Sequence, residues 1–209
     1  MKQHAVQNRS LAIIIPVFNE KEAVGLVIEQ ILKVRGDQPW EVIVVDDGSI
    51  DGTGEVLEAF EGRIRVVEHP SNRGYGASLK TGILSTRAEN VLFFDADGQH
   101  DAADIPAFAE ALKRYECVFS ERQGGQGIPA VRKPGKWILH CVCNFLAAQK
   151  IPDINSGFRA GRRLLFMRML DLLPDGFSFS TTSLMFVIKS RFSHTFLPIQ
   201  CHARTGSST

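Results

Sequence analysis

The chain alternates between short apolar runs and longer stretches in which apolar residues recur every three or four positions. An apolar run of four to eight residues between polar segments indicates a buried strand, and the longer period indicates a helix packed on one face. Four strands are predicted, over 11–18, 41–45, 64–68 and 91–94. Helices are predicted to begin at Asn19-Glu20, at 51–53 and after Asn72, and Pro16 is predicted to end the first ladder. Strand–helix alternation of this kind predicts an α/β fold with a mostly parallel central sheet and helices on both faces.

The second half of the chain has a less regular pattern. Residues 121–136 are rich in Gly and Pro and predict a loop, and two helices are predicted at about 162–173 and 181–192, before a strand at 194–199. A helix is also predicted over 136–148. We interpret its apolar stripe as core rather than as membrane contact. The stripe comprises Trp137, Ile138, Cys141, Val142, Phe145 and Leu146.

The fourth predicted strand ends in two carboxylates, Asp95 and Asp97, with Gln99 close by. Ligands bind at the carboxyl edge of an open α/β sheet. Oxygen ligands of this kind suit Mg²⁺ or Mn²⁺, especially when a substrate diphosphate supplies further oxygens. The same residues are also consistent with a solvated acidic turn that leads into a helix capped by Asp101 or Asp104.

Two further loops are predicted to meet the Asp95 loop at the same edge, because they follow parallel strands. They are Pro16 to Glu20 and Asp46 to Ser49. Carboxylates brought together in this way repel one another unless a cation or hydrogen-bond donors lie between them. Gly74 and Gly76 are predicted to let the backbone approach a ligand closely.

Composition narrows the class of protein. The 209 residues are 44% hydrophobic and carry a net charge of +1, so we expect one domain over residues 1–209 and no nucleic-acid partner. The four cysteines lack metal-site spacing and are predicted to be reduced thiols of a cytosolic domain. The polar first ten residues give no signal-peptide pattern, and no apolar run is long enough to cross a bilayer.

Four ordered motifs resemble those of family-2 glycosyltransferases with the GT-A fold. They are Ile15 to Glu20, Val45 to Thr53, Asn72 to Ala77 and Asp95 to His100. The resemblance implies a nucleotide-sugar donor, Mg²⁺ or Mn²⁺ as cofactor, and a GT-A (Rossmann-like) sheet. By the resemblance, the metal would be held by Asp95, Asp97 and Gln99, and the catalytic residues would be Asp95, Asp97 and Arg122. The implied nucleotide-binding residues are Pro16, Phe18, Glu20, Val45, Asp46, Asp47, Gly76 and Ala96.

The segment from Ile151 to Arg159 and the ending from Arg204 to Ser208 resemble the dolichyl-phosphate mannosyltransferase and polyprenyl-phosphate glycosyltransferase group. The resemblance implies metal-dependent, inverting transfer of a sugar from GDP-mannose or a UDP-sugar to dolichyl or undecaprenyl phosphate. Arg122, Arg132 and Lys136 would bind the acceptor phosphate. It also implies a cytoplasmic protein in peripheral contact with the cytoplasmic face of a membrane.

Three other functions stay open at this point. A hydroxyl acceptor on a saccharide would need a general base, for which Asp153 is the candidate. A nucleotidyltransferase would share the metal-dependent α/β fold, but the expected basic Gly-rich loop near the first strand is absent. A binding module without catalysis would not need both Asp95 and Asp97. Arg159 is a further candidate for anion binding or a member of a structural ion pair.

Overall fold

The structure is a computed structural model that describes residues 10–123 and 133–203, except for the side chains of residues 133–137. Its strands form one seven-stranded sheet in the order β3-β2-β1-β4-β6-β5-β7. All neighbours are parallel except β6, which is antiparallel to both β4 and β5. The strands are β1 (Leu11–Val17), β2 (Glu41–Asp46), β3 (Arg65–Glu68), β4 (Asn90–Phe93), β5 (Cys117–Gln123), β6 (Arg159–Arg162) and β7 (His194–Gln200). The predicted fold class is confirmed.

Helices cover both faces of this sheet, and short 3-10 turns precede α4 and follow α6. In the described part of the chain, no helix is long and apolar enough to span a membrane. The helices are α1 (Val24–Arg35), α2 (Thr53–Glu58), α3 (Tyr75–Ser85), α4 (Ile105–Ala111), α5 (Lys133–Ala147), α6 (Arg163–Met169) and α7 (Phe179–Lys189).

Two apolar layers hold the helices to the sheet. Alternate residues of β1 point to opposite faces, so Ile13 and Ile15 join the layer under α1 and α4, while Ile14 joins the layer under α3, α6 and α7. Every residue of β1 is buried. A strand that is apolar without alternation is therefore buried on both faces, as its sequence predicts.

The first strand and helix differ from the prediction at their junction. Pro16 does not end β1, which continues to Val17. Ile14 accepts a hydrogen bond from Phe94 on the β4 side, so the missing N–H of Pro16, two residues later, faces a side where β4 has already ended. The helix begins at Val24 rather than Asn19, because Asn19 has φ +55°, a left-handed conformation that cannot start a right-handed helix.

Both predicted bounds of the loop over 121–136 are wrong, because residues at each end belong to regular elements. Strand β5 continues to Gln123 and α5 begins at Lys133, three residues before its predicted start. The interpretation of the α5 stripe as core is wrong, because most of its described side chains are exposed. The exposed members of the predicted stripe are Ile138, Cys141, Val142, Phe145 and Leu146.

Candidate active site

A cavity of about 630 Å³ lies at the carboxyl edge of the sheet, where β1, β2 and β4 end. Its volume is in the range of small-molecule sites. Because β6 is antiparallel, the segment before it reaches the same edge and adds Asn155 and Gly157 to the wall. The predicted site residues that line the cavity are Pro16, Phe18, Glu20, Asp47, Asp95, Ala96 and Asp97. The predicted convergence of the three loops is therefore found in the structure.

Hydrogen bonds join the loop after β1 to the loop after β2. The Asn19 N–H donates to Ser49 Oγ at 2.9 Å, and Asn19 Oδ1 accepts from the Ile50 N–H at 2.9 Å. The Glu20 N–H donates to Thr53 Oγ1 at 3.1 Å. The left-handed conformation of Asn19 turns its side chain toward the second loop, so the two loops form one wall of the cavity.

Asp46 and Asp47 are surrounded by hydrogen-bond donors, which removes the repulsion expected between carboxylates at this edge. Asp46 Oδ1 accepts from both the N–H and the hydroxyl of Ser49, and Asp46 does not line the cavity. Asp47 accepts from His69 at 2.6 Å and from the Arg73 and Gly74 N–H groups at 2.9 and 2.7 Å. Asp47 therefore fixes the start of α3 while it borders the cavity.

Other predicted residues of the nucleotide and metal sets also lie outside the cavity wall. Val45 is fully buried within β2. A Cβ atom on Gly76 would lie 2.2 Å from the Pro174 carbonyl oxygen. The absence of a side chain at Gly76 therefore serves the packing of α3 against residues 174–175, not the approach to a ligand. Gln99 donates its N–H to Asp97 Oδ1 at 3.1 Å, and its side chain does not line the cavity.

Asp95 is held in position by two side chains that sequence reasoning did not select. The Tyr75 hydroxyl donates to Asp95 Oδ1 at 2.9 Å, and His100 Nε2 lies 3.6 Å from Asp95 Oδ2. Burial raises the pKa of Asp95, but His100 and Tyr75 outweigh that effect and leave the pKa lowered. Asp95 is consequently a carboxylate at neutral pH.

The protonation states of the two partners follow from the same contacts. Burial lowers the pKa of His100, but its contacts with Asp95 and Cys201 outweigh burial and raise the pKa to about 9. Burial and the nearby Asp95 charge both raise the pKa of Tyr75 well above its usual value. At neutral pH His100 is therefore a cation and Tyr75 a phenol, and both are donors toward Asp95.

Gly157 leaves the space that the Asp95 carboxylate occupies. A Cβ atom on Gly157 would lie 2.0 Å from Asp95 Oδ2, much closer than any non-bonded contact. Tyr75 and His100 each stand within a motif that the sequence singled out, and Gly157 stands in the segment 151–159. Their place in those motifs is the sequence signal that could have pointed to these three residues. The sequence does not show that they contact Asp95.

Arg122 and Asp153 form an ion pair beside the cavity. Arg122 Nε donates to Asp153 Oδ2 at 2.5 Å, and Nη2 donates to Oδ1 at 3.0 Å. Burial raises the pKa of Asp153, but its hydrogen bond to Arg122 outweighs burial and leaves the pKa lowered. Asp153 is thus a weak base, and Arg122 has a structural partner and does not line the cavity.

Arg159 is a structural residue rather than an anion-binding one in this arrangement. Its side chain is buried and donates to the carbonyl oxygens of Ser156 and Ser180 and to Ser183 Oγ. These bonds connect β6 to the start of α7. The other two predicted acceptor cations are Arg132, which lies outside the described residues, and Lys136, whose side chain is not described. The ending from Arg204 to Ser208 also lies outside the described residues.

Aromatic and aliphatic side chains form one rim of the cavity. Phe177 stacks on Tyr75 with ring centroids 5.4 Å apart and is 82% exposed. Leu139 of α5 also lines the cavity and is partly exposed. The cavity therefore has a carboxylate-bearing floor at Asp95 and Asp97 and an apolar rim.

The two carboxylates at the end of β4 fit a divalent ion that shares its coordination with a substrate. Asp95 and Asp97 both line the cavity, and Gly157 keeps room for the Asp95 carboxylate. Over residues 10–123 and 133–203, no group of three or more His, Cys, Asp and Glu side chains could hold a metal by itself. A magnesium-type site needs no such group, because Mg²⁺ commonly takes one or two carboxylates together with waters and substrate phosphates.

Comparison with known proteins gives consistent matches. Residues 12–171 match the family described as Glycosyl transferase family 2. A Dodecaprenyl-phosphate galacturonate synthase of Rhizobium johnstonii is 30% identical over 165 residues, which cover 75% of this chain and 49% of that protein. A Dolichyl-phosphate beta-glucosyltransferase of Saccharomyces cerevisiae is 24% identical over 227 residues, covering 94% of this chain and 68% of that protein. The chain thus spans about half the length of the rhizobial relative.

A solved structure has the same fold. Glucosyl-3-phosphoglycerate synthase from Mycobacterium tuberculosis, solved with Mn²⁺, uridine diphosphate and glucosyl-3-phosphoglycerate, superposes with a TM-score of 0.78 at 20% identity. The match covers 96% of this chain and 73% of that one. At this level of identity the likeness establishes the fold alone.

Proposed function

Because the chain belongs to glycosyl transferase family 2, we propose that its cavity transfers a sugar from a nucleotide-sugar donor to a polyprenyl phosphate. The observation that carries the proposal is the meeting of three strand-end loops around Asp95 and Asp97 in a cavity with one apolar rim. Relatives named for dodecaprenyl-, dolichyl- and undecaprenyl-phosphate acceptors support a lipid phosphate as the acceptor. The donor is a GDP- or UDP-sugar, and the precise sugar is open to screening.

In this proposal the donor diphosphate lies over Asp95 and Asp97, and the nucleoside lies along Pro16, Phe18, Glu20 and Asp47. A divalent ion bound by the two carboxylates would stabilise the negative charge of the departing nucleoside diphosphate. Tyr75 and His100 hold the Asp95 carboxylate in one orientation. These contacts orient the Asp95 carboxylate before the donor binds.

A phosphate acceptor is consistent with the protonation of the groups near the cavity. A phosphate monoester is largely anionic near neutral pH, so it attacks without a general base, whereas a hydroxyl acceptor needs one. Asp153, the candidate base for a hydroxyl, is engaged by Arg122 through two hydrogen bonds and has a lowered pKa. Direct displacement by the phosphate would invert the anomeric centre. Arg122, Arg132 and Lys136 remain the proposed acceptor-phosphate residues, with Arg122 also bound to Asp153.

A donor screen tests the proposal. GDP- and UDP-sugars are incubated with a short-chain, water-soluble polyprenyl phosphate and Mg²⁺ or Mn²⁺, and the released nucleoside diphosphate is measured. We expect release that depends on the acceptor, that EDTA stops, and that Asp97→Asn reduces by at least about a hundredfold. Asp37→Asn changes an exposed carboxylate before β2, at the opposite edge of the sheet, and should keep the wild-type rate. Nucleoside diphosphate release at the same rate with and without acceptor would contradict the proposal. So would an Asp97→Asn variant with the wild-type rate.

A further inference from the structure

Helix α5 is oriented with polar side chains toward the protein and apolar side chains away from it. Asn144 Oδ1 accepts from the Ile151 N–H at 2.8 Å, and His140 Nε2 lies 2.6 Å from the Ile151 carbonyl oxygen. Cys143 is buried, and Ala147 packs against the apolar layer that α5 covers. Residues 140, 143, 144 and 147 follow helical spacing, so they define the inner face of α5.

The opposite face of α5 is apolar and exposed. We define the α5 outer face as Ile138, Leu139, Val142, Phe145 and Leu146, which are 56%, 41%, 47%, 84% and 51% exposed. A surface helix ordinarily shows water its polar side, so this reversed arrangement marks an interaction surface. Leu139 also lines the cavity, and Phe177 adds another exposed ring to the cavity rim. The α5 outer face is therefore continuous with the entrance of the cavity.

The charge of the sequence segment that contains α5 favours a partner with anionic groups. Between Gln123 and Pro152 the sequence has four basic residues and no acidic residue. Lys189 adds a cation at the other end of the helix, where its Nζ donates to the Leu146 carbonyl oxygen at 3.0 Å. An exposed apolar helix face in a sequence segment that carries cations and no anion has the features of a helix that lies in the interface of an anionic bilayer.

We propose that the α5 outer face docks on a lipid bilayer that contains anionic headgroups, with Phe145 and Leu146 inserted at the level of the acyl chains. The inference rests on the proposed function in one respect: a lipid acceptor would have to reach the cavity from a bilayer. Docking through this face would place the apolar rim at Leu139 against the lipid. The acceptor phosphate could then enter the cavity while its polyprenyl chain stays in the membrane.

Vesicle binding tests the surface without donor or acceptor. The full chain is co-sedimented with vesicles of phosphatidylcholine alone and of phosphatidylcholine mixed with phosphatidylglycerol. We expect binding to the mixed vesicles that weakens as salt is raised, and a partition coefficient about tenfold lower for Phe145→Ser. Leu146→Ser should also weaken binding. Leu26→Ser is the matched control, because Leu26 is a 58% exposed helical leucine on α1, over the other face of the sheet.

Several results would overturn the inference. One is wild-type protein that stays in the supernatant with both kinds of vesicle. Another is equal loss of binding for Leu146→Ser and Leu26→Ser. The last is an absence of vesicle binding together with self-association that Phe145→Ser abolishes. The last would assign the face to a second copy of the chain. Transfer to a water-soluble acceptor, measured on the same variants, separates this inference from the proposed function. Transfer without vesicle binding removes only the docking surface, and vesicle binding without transfer removes only the proposed acceptor.

Discussion

Replacing Gly157 by alanine tests whether the position of the Asp95 carboxylate controls activity. An alanine Cβ would lie 2.0 Å from Asp95 Oδ2 and 2.6 Å from both Cγ and Oδ1. Ordinary non-bonded contact needs about 3.5 Å or more, so the carboxylate has to move by more than about 1 Å. Such a shift breaks the 2.9 Å hydrogen bond from Tyr75 and the contact with His100.

The size of the expected effect follows from that displacement. A misplacement of about 1 Å in a reacting group lowers the rate by roughly a hundredfold. The assay measures nucleoside diphosphate released per enzyme in the presence of polyprenyl phosphate, and urea unfolding of the same samples measures stability. We expect Gly157→Ala to stay folded and to lose activity by about two orders of magnitude.

Gly54→Ala is the matched control for that variant. A Cβ atom on Gly54 meets nothing within 4 Å, and Gly54 lies inside helix α2. The control should therefore keep its activity and gain about 0.5–1 kcal/mol of stability from helix propensity. If Gly157→Ala turned over donor as fast as Gly54→Ala, the Asp95 carboxylate would not be the positioned group that we describe.

Three further predictions concern stability and can be measured by urea unfolding. Asp153→Asn should lower the free energy of unfolding by about 1 kcal/mol at neutral pH, because the pKa of Asp153 is lowered in the folded state by its partly exposed pair with Arg122. A group with a lowered pKa stabilises the fold above its unfolded pKa, here about 4, and this stabilisation is lost as the pH falls through the folded pKa. The difference in stability between wild type and Asp153→Asn should therefore vanish in acid. A difference that persists in acid would refute the ionised pair of Asp153 with Arg122. Arg159→Met should lower the free energy of unfolding by roughly 2–6 kcal/mol, since the buried carbonyl oxygens of Ser156 and Ser180 each lose a charged donor. A loss near zero would argue against this structural role. Asp47→Ala should lower the free energy of unfolding by about 3 kcal/mol, because three donors lose their acceptor. Asp97→Ala, on the cavity wall, should lower the free energy of unfolding by no more than about 1 kcal/mol. Equal losses would contradict the structural role that distinguishes Asp47 from Asp97.

The parts of the fold that the sequence predicted are those with a continuous apolar signal. Strands β1, β2 and β4 are apolar without alternation, which reports burial on both faces directly. Strand β6, with the sequence Arg-Ala-Gly-Arg, has no such signal and was not predicted. It is a strand because its backbone pairs with β4 on one side and β5 on the other, and such long-range pairing is not encoded in the local pattern.

Helix α5 shows a different limit of pattern analysis. Its apolar period was recognised, but a period does not say which face meets the protein. The inner face is set by His140 and Asn144, whose bonds to Ile151 depend on the chain returning to the sheet after the helix. The polar residues of α5, not its apolar ones, turned out to mark the side toward the sheet.

For the candidate site, the sequence predicted carboxylates and loops that line the cavity, but not the groups that hold Asp95 in position. Asp95, Asp97 and the two neighbouring loops follow from parallel strands that end at one edge. The groups that hold Asp95 come from α3, from the residue that ends the Asp95 motif and from the segment before β6: Tyr75, His100 and Gly157. Their roles depend on how close the fold brings them to Asp95, and the local sequence does not show these distances.

The chemical identity of the acceptor tests the central proposal most directly. Polyprenyl phosphate and the free polyprenol of equal chain length are offered together with the donor found in the screen, and the lipid products are identified by mass spectrometry. We predict a glycosyl phosphate linkage on the polyprenyl phosphate and no glycosylated polyprenol. A sugar attached to the polyprenol hydroxyl, with the phosphate left unmodified, would contradict it and would require a general base that the lowered pKa of Asp153 does not provide.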